Sequence, residues 1–350
     1  MRTVVGREER VRTAEFDYYL PPELIAQQPL TPRDNSRLMV LHREGKHIEH
    51  RMFREIGEYL QPGDLLVANE SRVIPARLLA RKVPTGGKVE LLLLTKRGEC
   101  TWEALVTGRR VGVGTALAIG QGERKLHGRA VAVTPSGGRF IEFEEPVEPW
   151  LEELGQVPLP PYIHEPLRDT ERYQTIYARV PGSTAAPTAG LHFTSPLMDA
   201  LREKGIEFAF VTLDISLDTF RPVREEHIED HRMYSERCSL SPEVTDQINR
   251  AKREGRRAIA VGTTTVRVLE TAAHNVGLVE PFEGTTDLFI YPGYPFRAVE
   301  ALITNFHLPR STLLMLVAAF AGKDFIDRAY QEAIREGYRF YSFGDAMLIL

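Results

Sequence analysis

Cysteine is almost missing from this sequence. Cys100 and Cys238 are its only two, far apart and in no metal-like spacing, which excludes a disulfide framework and a four-cysteine zinc site. That scarcity fits a reducing compartment, so a cytoplasmic location is expected. Long apolar runs are lacking as well. The longest, Leu313 to Ala321, is too short to span a bilayer, and the first residues, MRTVVGREERVRTAEF, have no uninterrupted apolar core of the signal-peptide kind. A membrane role is therefore not expected. There is no internal repeat and no low-complexity tract. The net charge is only −4, which by itself neither favours nor excludes a polyanionic partner.

What is present is ordinary for a globular protein: 43% hydrophobic and 26% charged residues, in a length that suggests two domains or one domain with an insertion. The charges are spread unevenly. From Arg72 to Phe140, thirteen Lys and Arg stand against four Glu and no Asp, a balance of +9, and the remainder sums to −13. The same segment reads as short strands, Val73–Leu79, Val89–Leu94, Trp102–Val106, Ala116–Ile119, Leu126–Val133 and Arg139–Phe143. Turn-like groups separate them, at the spacing of a small antiparallel barrel or sandwich. On either side, helices alternate with strands. Strands are expected at Phe208–Leu213, Ala258–Val261 and Met347–Leu350. Helices are expected from near Ser241, from about Val266, at Leu197–Lys204 behind Ser195-Pro196, at Thr312–Ala321 behind Ser311, and at Phe325–Glu336 behind Asp324. The fold class is thus α/β, with a main domain of residues 1–71 and 146–350 interrupted by an all-β insertion at 72–145. The Pro-rich VPLPPYIHEP is expected to lead back into the main domain.

Three polar loops, each after an expected strand and before an expected helix, are the candidates for chemistry. AVGTTT brings Gly262, Thr263, Thr264 and Thr265 to a helix start, where backbone N–H groups and hydroxyls can hold a phosphate or carboxylate; the bland alternative is a simple cap. AAPTAGLHFT offers Thr188, His192 and Gly190, the last permitting an unusual backbone. TNFHLPRST offers Asn305 and His307. Loops so placed converge at one edge of an α/β sheet or barrel. Two other patterns point elsewhere. The glycine-rich RRVGVGTALAIG precedes a strand and not a helix, so it reads as a hairpin and not a nucleotide fingerprint. His227 and His231 have the spacing of a helical metal pair but no third ligand, and no metal is expected.

FDYYLPPELIAQQPL, RDNSRLMVL, LQPGDLLVANESRVIPARL, PLPPYI, AAPTAGLHF, AVGTTTVRVLE, TNFHLPRSTLLMLVAAFAG and YRFYSFGDAMLI occur collinearly along nearly the whole chain. Together they resemble the S-adenosylmethionine:tRNA ribosyltransferase-isomerases of queuosine biosynthesis. The resemblance implies a barrel-like α/β main domain with an inserted β-barrel. It also implies transfer and isomerisation of the ribosyl part of S-adenosylmethionine onto 7-aminomethyl-7-deazaguanine at the tRNA wobble position, giving epoxyqueuosine and releasing adenine and methionine. No cofactor is implied, because S-adenosylmethionine is consumed as a substrate, and the partners are that molecule and tRNA.

On this reading His192, His307 and Asp214 are the candidates for proton transfer. Thr188, Gly190, Gly262, Thr263, Thr264, Thr265, Arg267 and Asn305 would bind substrate. Arg72, Arg77, Arg81, Lys82, Lys88, Arg109 and Arg110 would meet tRNA on one face of the insertion, with Lys252, Arg253, Arg256 and Arg257 as the fallback. The sequence departs from the family pattern where Asp214 and Tyr234 replace histidines and Ser216 replaces a glycine. Two other classes remain open: an RNA-binding module without catalysis, and a metal-dependent hydrolase using His227 and His231. Elemental analysis for zinc or manganese would separate the second.

Overall fold

The computed structural model describes residues 10–120, 125–134, 137–216, 222–233, 235–275 and 277–350. The chain divides into two compact units, one of Met1–Asn69, Thr188–Thr212 and Asp218–Leu350, the other of Glu70–Pro187 and Leu213–Leu217. The second unit runs past residue 145 and includes the Pro-rich segment.

The first unit is mixed α/β, built on a nine-stranded sheet. Its strands lie in the order Phe282–Thr286, Glu236–Leu240, Glu207–Leu213, Leu65–Asn69, Ala258–Val261, Ala301–Asn305, Ala346–Ile349, Arg37–His42 and His47–Met52. Leu65–Asn69 is parallel to both neighbours, and Ala258–Val261 is parallel to Ala301–Asn305. Every residue of LLVAN, AIAV, ALITN and AMLI is buried, as expected for central strands covered on both faces. That arrangement brings the carboxyl ends of Ala258–Val261 and Ala301–Asn305 side by side, and the loops that follow them inherit the adjacency.

Helix starts show where sequence signals hold. Ser241 and Ser311 accept from the N–H groups of Val244 and Leu314, capping Pro242–Arg253 and Thr312–Ala321. Ser195 is not a cap: it opens the helix Ser195–Glu203, and Thr194 accepts from Leu197. Asp324 is not a cap either, because Lys323–Arg335 starts one residue before it. Gly322, at φ 91°, ends one helix and begins the next, a conformation that favours glycine. The helix expected from Val266 starts three residues earlier, as Thr263–Ala272.

In the second unit, Arg77–Val83, Lys88–Lys96, Thr101–Thr107, Arg139–Phe143, Leu126–Val133 and Ala116–Ile119 pair antiparallel in that order. Arg77–Val83 closes on Ala116–Ile119 to make a six-stranded barrel. Alternation along Arg77–Val83 sends Leu78 and Ala80 into a core shared with Leu91, Leu93, Trp102 and Ile141, and leaves Leu79 and Arg81 outside. Val147 and Leu151, at the helix Glu148–Leu154, join the same core. The expected strand Val73–Leu79 is in fact two, Ser71–Val73 and Arg77–Val83, parted at Pro75, which has no N–H to give a ladder.

Candidate functional site

The three polar loops meet inside the first unit. Thr188–His192 forms a single 3-10 turn, and Gly190 lies within it without a positive φ, so the unusual backbone expected there is absent. The Thr188 hydroxyl donates to Asn305 Oδ1 at 3.0 Å. The Asn305 amide donates to the carbonyl of Tyr341 at 3.2 Å and faces His192 Nε2 at 3.1 Å. A carbonyl can only accept, so the group facing it is the NH₂, and its second hydrogen meets the Nε2 lone pair. Nδ1 therefore carries the proton, given to Ser36 Oγ at 2.7 Å. Phe53 stacks on the imidazole at 5.0 Å. Tyr341 holds its carbonyl in place at φ 70°, a strained backbone for a non-glycine residue.

This network occupies both nitrogens of His192. Burial, followed by the nearby charges of Arg33 and Arg339, lowers its pKa to about 3, so the ring is neutral and its lone pair is spent on Asn305. In this arrangement His192, one of the three candidates for proton transfer, ties the turn to Asn305 and Ser36. Burial alone lowers His307 to about 3. Its Nε2 lies 3.0 Å from the Thr304 hydroxyl, its backbone N–H donates to the Tyr330 hydroxyl at 2.9 Å, and its carbonyl accepts from Tyr18. Nδ1 of His307 has no hydrogen-bond partner among the described residues.

Beside this network lies the start of Thr263–Ala272. Gly262, at φ 92°, occupies the N-cap position and supplies no capping side chain. A Cβ placed on it would lie 3.6 Å from the Ala189 Cβ and 3.5 Å from the Thr264 hydroxyl, so the helix start and the Thr188–His192 turn are in contact. The Thr264 hydroxyl is buried and has no hydrogen-bond partner among the described residues. Thr263 stands first in the helix, and no hydrogen bond of its hydroxyl is found among the described residues. Two other members of the expected binding set are engaged within the protein. The Thr265 hydroxyl bonds back to the Val261 carbonyl at 2.8 Å in the helix interior. Arg267 is fully buried and gives its guanidinium to Glu236 and to the carbonyls of Leu288 and Thr286. It braces the helix against the Glu236–Leu240 and Phe282–Thr286 strands.

The second unit holds Asp214, which follows the strand Glu207–Leu213, and the cations of the barrel. Arg81 lies opposite Lys88 across two strands, Lys82 Nζ donates to the Arg109 carbonyl at 2.7 Å, and the Lys88 carbonyl packs at Gly108. Arg81, Lys82, Lys88, Arg109 and Arg110 thus gather at one rim, and none pairs with a carboxylate among the described residues. Arg72 and Arg77, also expected on that face, pair with Glu171 and with Glu90. The fallback cluster is mostly neutralised: Lys252 pairs with Glu300, Arg256 with Glu207 and Glu254, and Arg257 with Asp64, and Arg253 alone has no carboxylate among the described residues. His227 and His231 do not lie on a helix, since only a short 3-10 turn, Ile228–Asp230, separates them, and His231 faces Glu225.

A family model described as queuosine biosynthesis protein matches residues 13–349, almost the whole described chain. The chain belongs to that family. Within the queuosine biosynthesis family it is 58% identical to the S-adenosylmethionine:tRNA ribosyltransferase-isomerase of Moorella thermoacetica and 57% identical to that of Symbiobacterium thermophilum. Each match covers 97% of this chain and all of the relative. It is also similar to the crystal structure of the S-adenosylmethionine tRNA ribosyltransferase from Thermotoga maritima, with TM-score 0.55 and 45% identity over 96% of this chain and all of that one. Of the departures named above, Asp214 and Ser216 are described, and Tyr234 lies outside the described residues.

Ser36, Thr304 and Tyr341 are the site residues that sequence reasoning missed. Ser36 lies 156 positions from His192, and its only signal was membership of the RDNSRLMVL motif.

Two buried neutral histidines make an acid-labile fold. Their folded pKa values, about 3, lie below the ordinary value of 6.5. The stability they confer is therefore complete above about pH 6.5, and is lost as pH falls from there towards about 3, at up to about 1.4 kcal/mol per unit per histidine. Asp345 and Glu270 act in the opposite sense, because burial raises their pKa values and a folded carboxyl that protonates early gains stability on acidification. His192→Gln should therefore flatten the fall in urea midpoint between pH 7 and 4.5. An unchanged slope would mean that His192 is protonated in the folded state.

Proposed function

We propose that this chain transfers the ribosyl part of S-adenosylmethionine to 7-aminomethyl-7-deazaguanine at the wobble position of tRNA and isomerises it to the epoxide of epoxyqueuosine, with loss of adenine and methionine. The observation that carries the proposal is identity of 52–58% to proteins named for ribosyl transfer and isomerisation between S-adenosylmethionine and tRNA, over 97% of this chain and the whole of theirs. A cytoplasmic setting belongs to the same reading and is supported by two free cysteines; no helix among the described residues is long and apolar enough to cross a membrane.

The reaction needs three things of the protein: a grip on a zwitterionic sulfonium substrate, a base for the 5′ carbon that the sulfonium acidifies, and a surface for RNA. The grip is assigned to the start of Thr263–Ala272, where Gly262 lets a ligand approach the uncapped N–H groups and the hydroxyls of Thr263 and Thr264 stand ready for a carboxylate. Thr188, His192 and Asn305, locked together, hold the adjoining turn. His307 keeps one nitrogen available for a hydrogen bond, but a pKa of about 3 makes it a weak base. Proton transfer is assigned to Asp214, whose carboxylate replaces the family's histidine. The RNA surface is assigned to the barrel rim of Arg81, Lys82, Lys88, Arg109 and Arg110, where five cations lack carboxylates among the described residues.

Incubation with S-adenosylmethionine and tRNA bearing the deazaguanine, then mass analysis of the digested nucleosides, tests the activity: the added ribosyl-derived mass is expected, and its absence with folded protein sinks the proposal. Thr264→Val tests the grip. The hydroxyl has no partner among the described residues, so its isosteric replacement should leave the thermal midpoint unchanged or slightly raised while S-adenosylmethionine affinity falls about tenfold by calorimetry. Loss of stability with unchanged affinity would make Thr264 structural.

A further inference from the structure

The strand Val180–Ser183 pairs in parallel with Ser71–Val73, with Val180 opposite Ser71, Pro181 opposite Arg72 and Ser183 opposite Val73. Gly182 has no place in that register and forms a bulge at φ 154°, a backbone that residues with a side chain rarely adopt. Bulges of this kind re-aim neighbouring groups and recur beside active sites. The object aimed here is identifiable. A Cβ on Gly182 would lie 2.8 Å from both carboxylate oxygens of Asp214 and 2.9 Å from its Cγ, and these are the three nearest atoms it would meet. Nothing else crowds the position so closely. The next two residues fix the following link of the chain: the Ser183 hydroxyl accepts from the Ile215 N–H at 2.8 Å, and the N–H and hydroxyl of Thr184 both donate to the Ile215 carbonyl, at 2.9 and 3.0 Å. Residues 183 and 184 therefore hold the backbone just after Asp214, and Gly182 lies flush against its side chain.

We propose that Gly182 is a positioning residue for the reaction: the side-chain-free bulge is the seat against which the Asp214 carboxylate is aimed. The inference rests on the assignment of Asp214 to proton transfer made above. It goes further in saying why a glycine stands in a strand that would otherwise be regular, and why the seat admits a carboxylate with no room to spare. A methyl group at 182 must displace the carboxylate, and a shift of about 1 Å in a reacting group costs on the order of a hundredfold in rate. Substrate binding, which does not use Asp214, should be nearly untouched.

The test is a cycle of Gly182→Ala, Asp214→Ala and the double variant, with Asp214→Asn alongside. Each is assayed for kcat and KM with S-adenosylmethionine and deazaguanine-bearing tRNA, and for thermal midpoint. Gly182→Ala is expected to lower kcat about a hundredfold with KM for S-adenosylmethionine within about twofold. In the Asp214→Ala background the same substitution should change kcat by less than about twofold and carry a much smaller midpoint penalty, because the group it displaces is gone. Equal midpoint losses in both backgrounds, or equal losses of kcat, would overturn the inference and leave backbone strain as the reason for the glycine. Should Gly182→Ala not fold, the double variant decides: recovered folding supports the seat, and continued unfolding overturns it. Asp214→Asn separates the two layers. Full turnover there removes the proton-transfer reading itself and the catalytic purpose of the seat with it; low turnover with additive cycles removes the role of Gly182 alone.

Discussion

Reversing Arg81, Lys82, Arg109 and Arg110 to Glu is expected to weaken tRNA binding about a thousandfold at moderate salt and to flatten its salt dependence by about three charges, with S-adenosylmethionine affinity intact. Each neutralised phosphate releases roughly one counterion, so every phosphate that the variant fails to neutralise shows twice, in affinity and in slope. The size follows from the rim itself. Arg109 and Arg110 are exposed, Arg81 stands opposite Lys88, and no carboxylate among the described residues screens any of them, so the whole charge is available to a polyanion. Val83 and Val113, exposed on the same rim, add apolar surface to a face otherwise made of cations. Filter binding at three or more salt concentrations gives both numbers, and circular dichroism checks that the barrel survives. Wild-type affinity and slope in a folded quadruple variant would place the RNA elsewhere.

Glu236→Leu is expected to cost about 3–5 kcal/mol of stability, because it strands a fully buried guanidinium. The side chains of Arg267 and Glu236 are 3% and 2% exposed, so neither ion can recover its hydration when the other is removed. Replacing both, as Glu236→Leu with Arg267→Met, should return most of the loss: a well-packed apolar pair avoids the desolvation that the ions suffered. The double variant also tests the bracing role of Arg267. If that residue only braces the helix, S-adenosylmethionine binds the double variant with near wild-type affinity. A single substitution costing less than about 1 kcal/mol in urea denaturation would show that the guanidinium finds water, against its burial.

Much of the architecture was legible because local signals agreed with one another. Ala116–Ile119, Leu126–Val133 and Arg139–Phe143 alternate clearly and are bounded by turn residues, and their ends match the structure. Ser241 and Ser311 stand before apolar helices and cap them. Misreadings came where two rules competed. Thr263–Thr265 read as a loop because three β-branched residues are poor helix formers, yet the helix is held by burial on every side, which propensity does not register. Asp324 looked like a cap, but Gly322 had already turned the chain. The hairpin of Arg37–His42 and His47–Met52 went unnoticed, since its turn uses Gly45 and Lys46 at positive φ without the usual Asn-Gly signal.

The site divided in the same way. Thr188, His192 and Asn305 were visible as polar residues in loops, and the structure joins them. Their partners Ser36 and Tyr341 were not visible, because each meets the network only through the tertiary fold. Arg267 and Thr265 sit next to the helix start in sequence, but a helix turns about 100° per residue and carries neighbours to other faces, so their side chains meet Glu236 and the Val261 carbonyl.

The order of strands in the large sheet sets a schedule for its assembly. All six barrel strands lie between residues 77 and 143, so their pairings can form while the rest of the chain is still being made. Leu65–Asn69, made earlier, must wait for Glu207–Leu213 and Ala258–Val261. Ala346–Ile349 comes last, yet it sits between Ala301–Asn305 and Arg37–His42, joining what would otherwise be two separate sheets. Until it arrives, two apolar strand edges lie open on the nascent protein, each able to pair with a neighbouring chain. Translation that stalls before Ala346 would therefore release a product with a finished barrel and an unsealed sheet, an aggregation hazard that a chaperone or protease would have to meet.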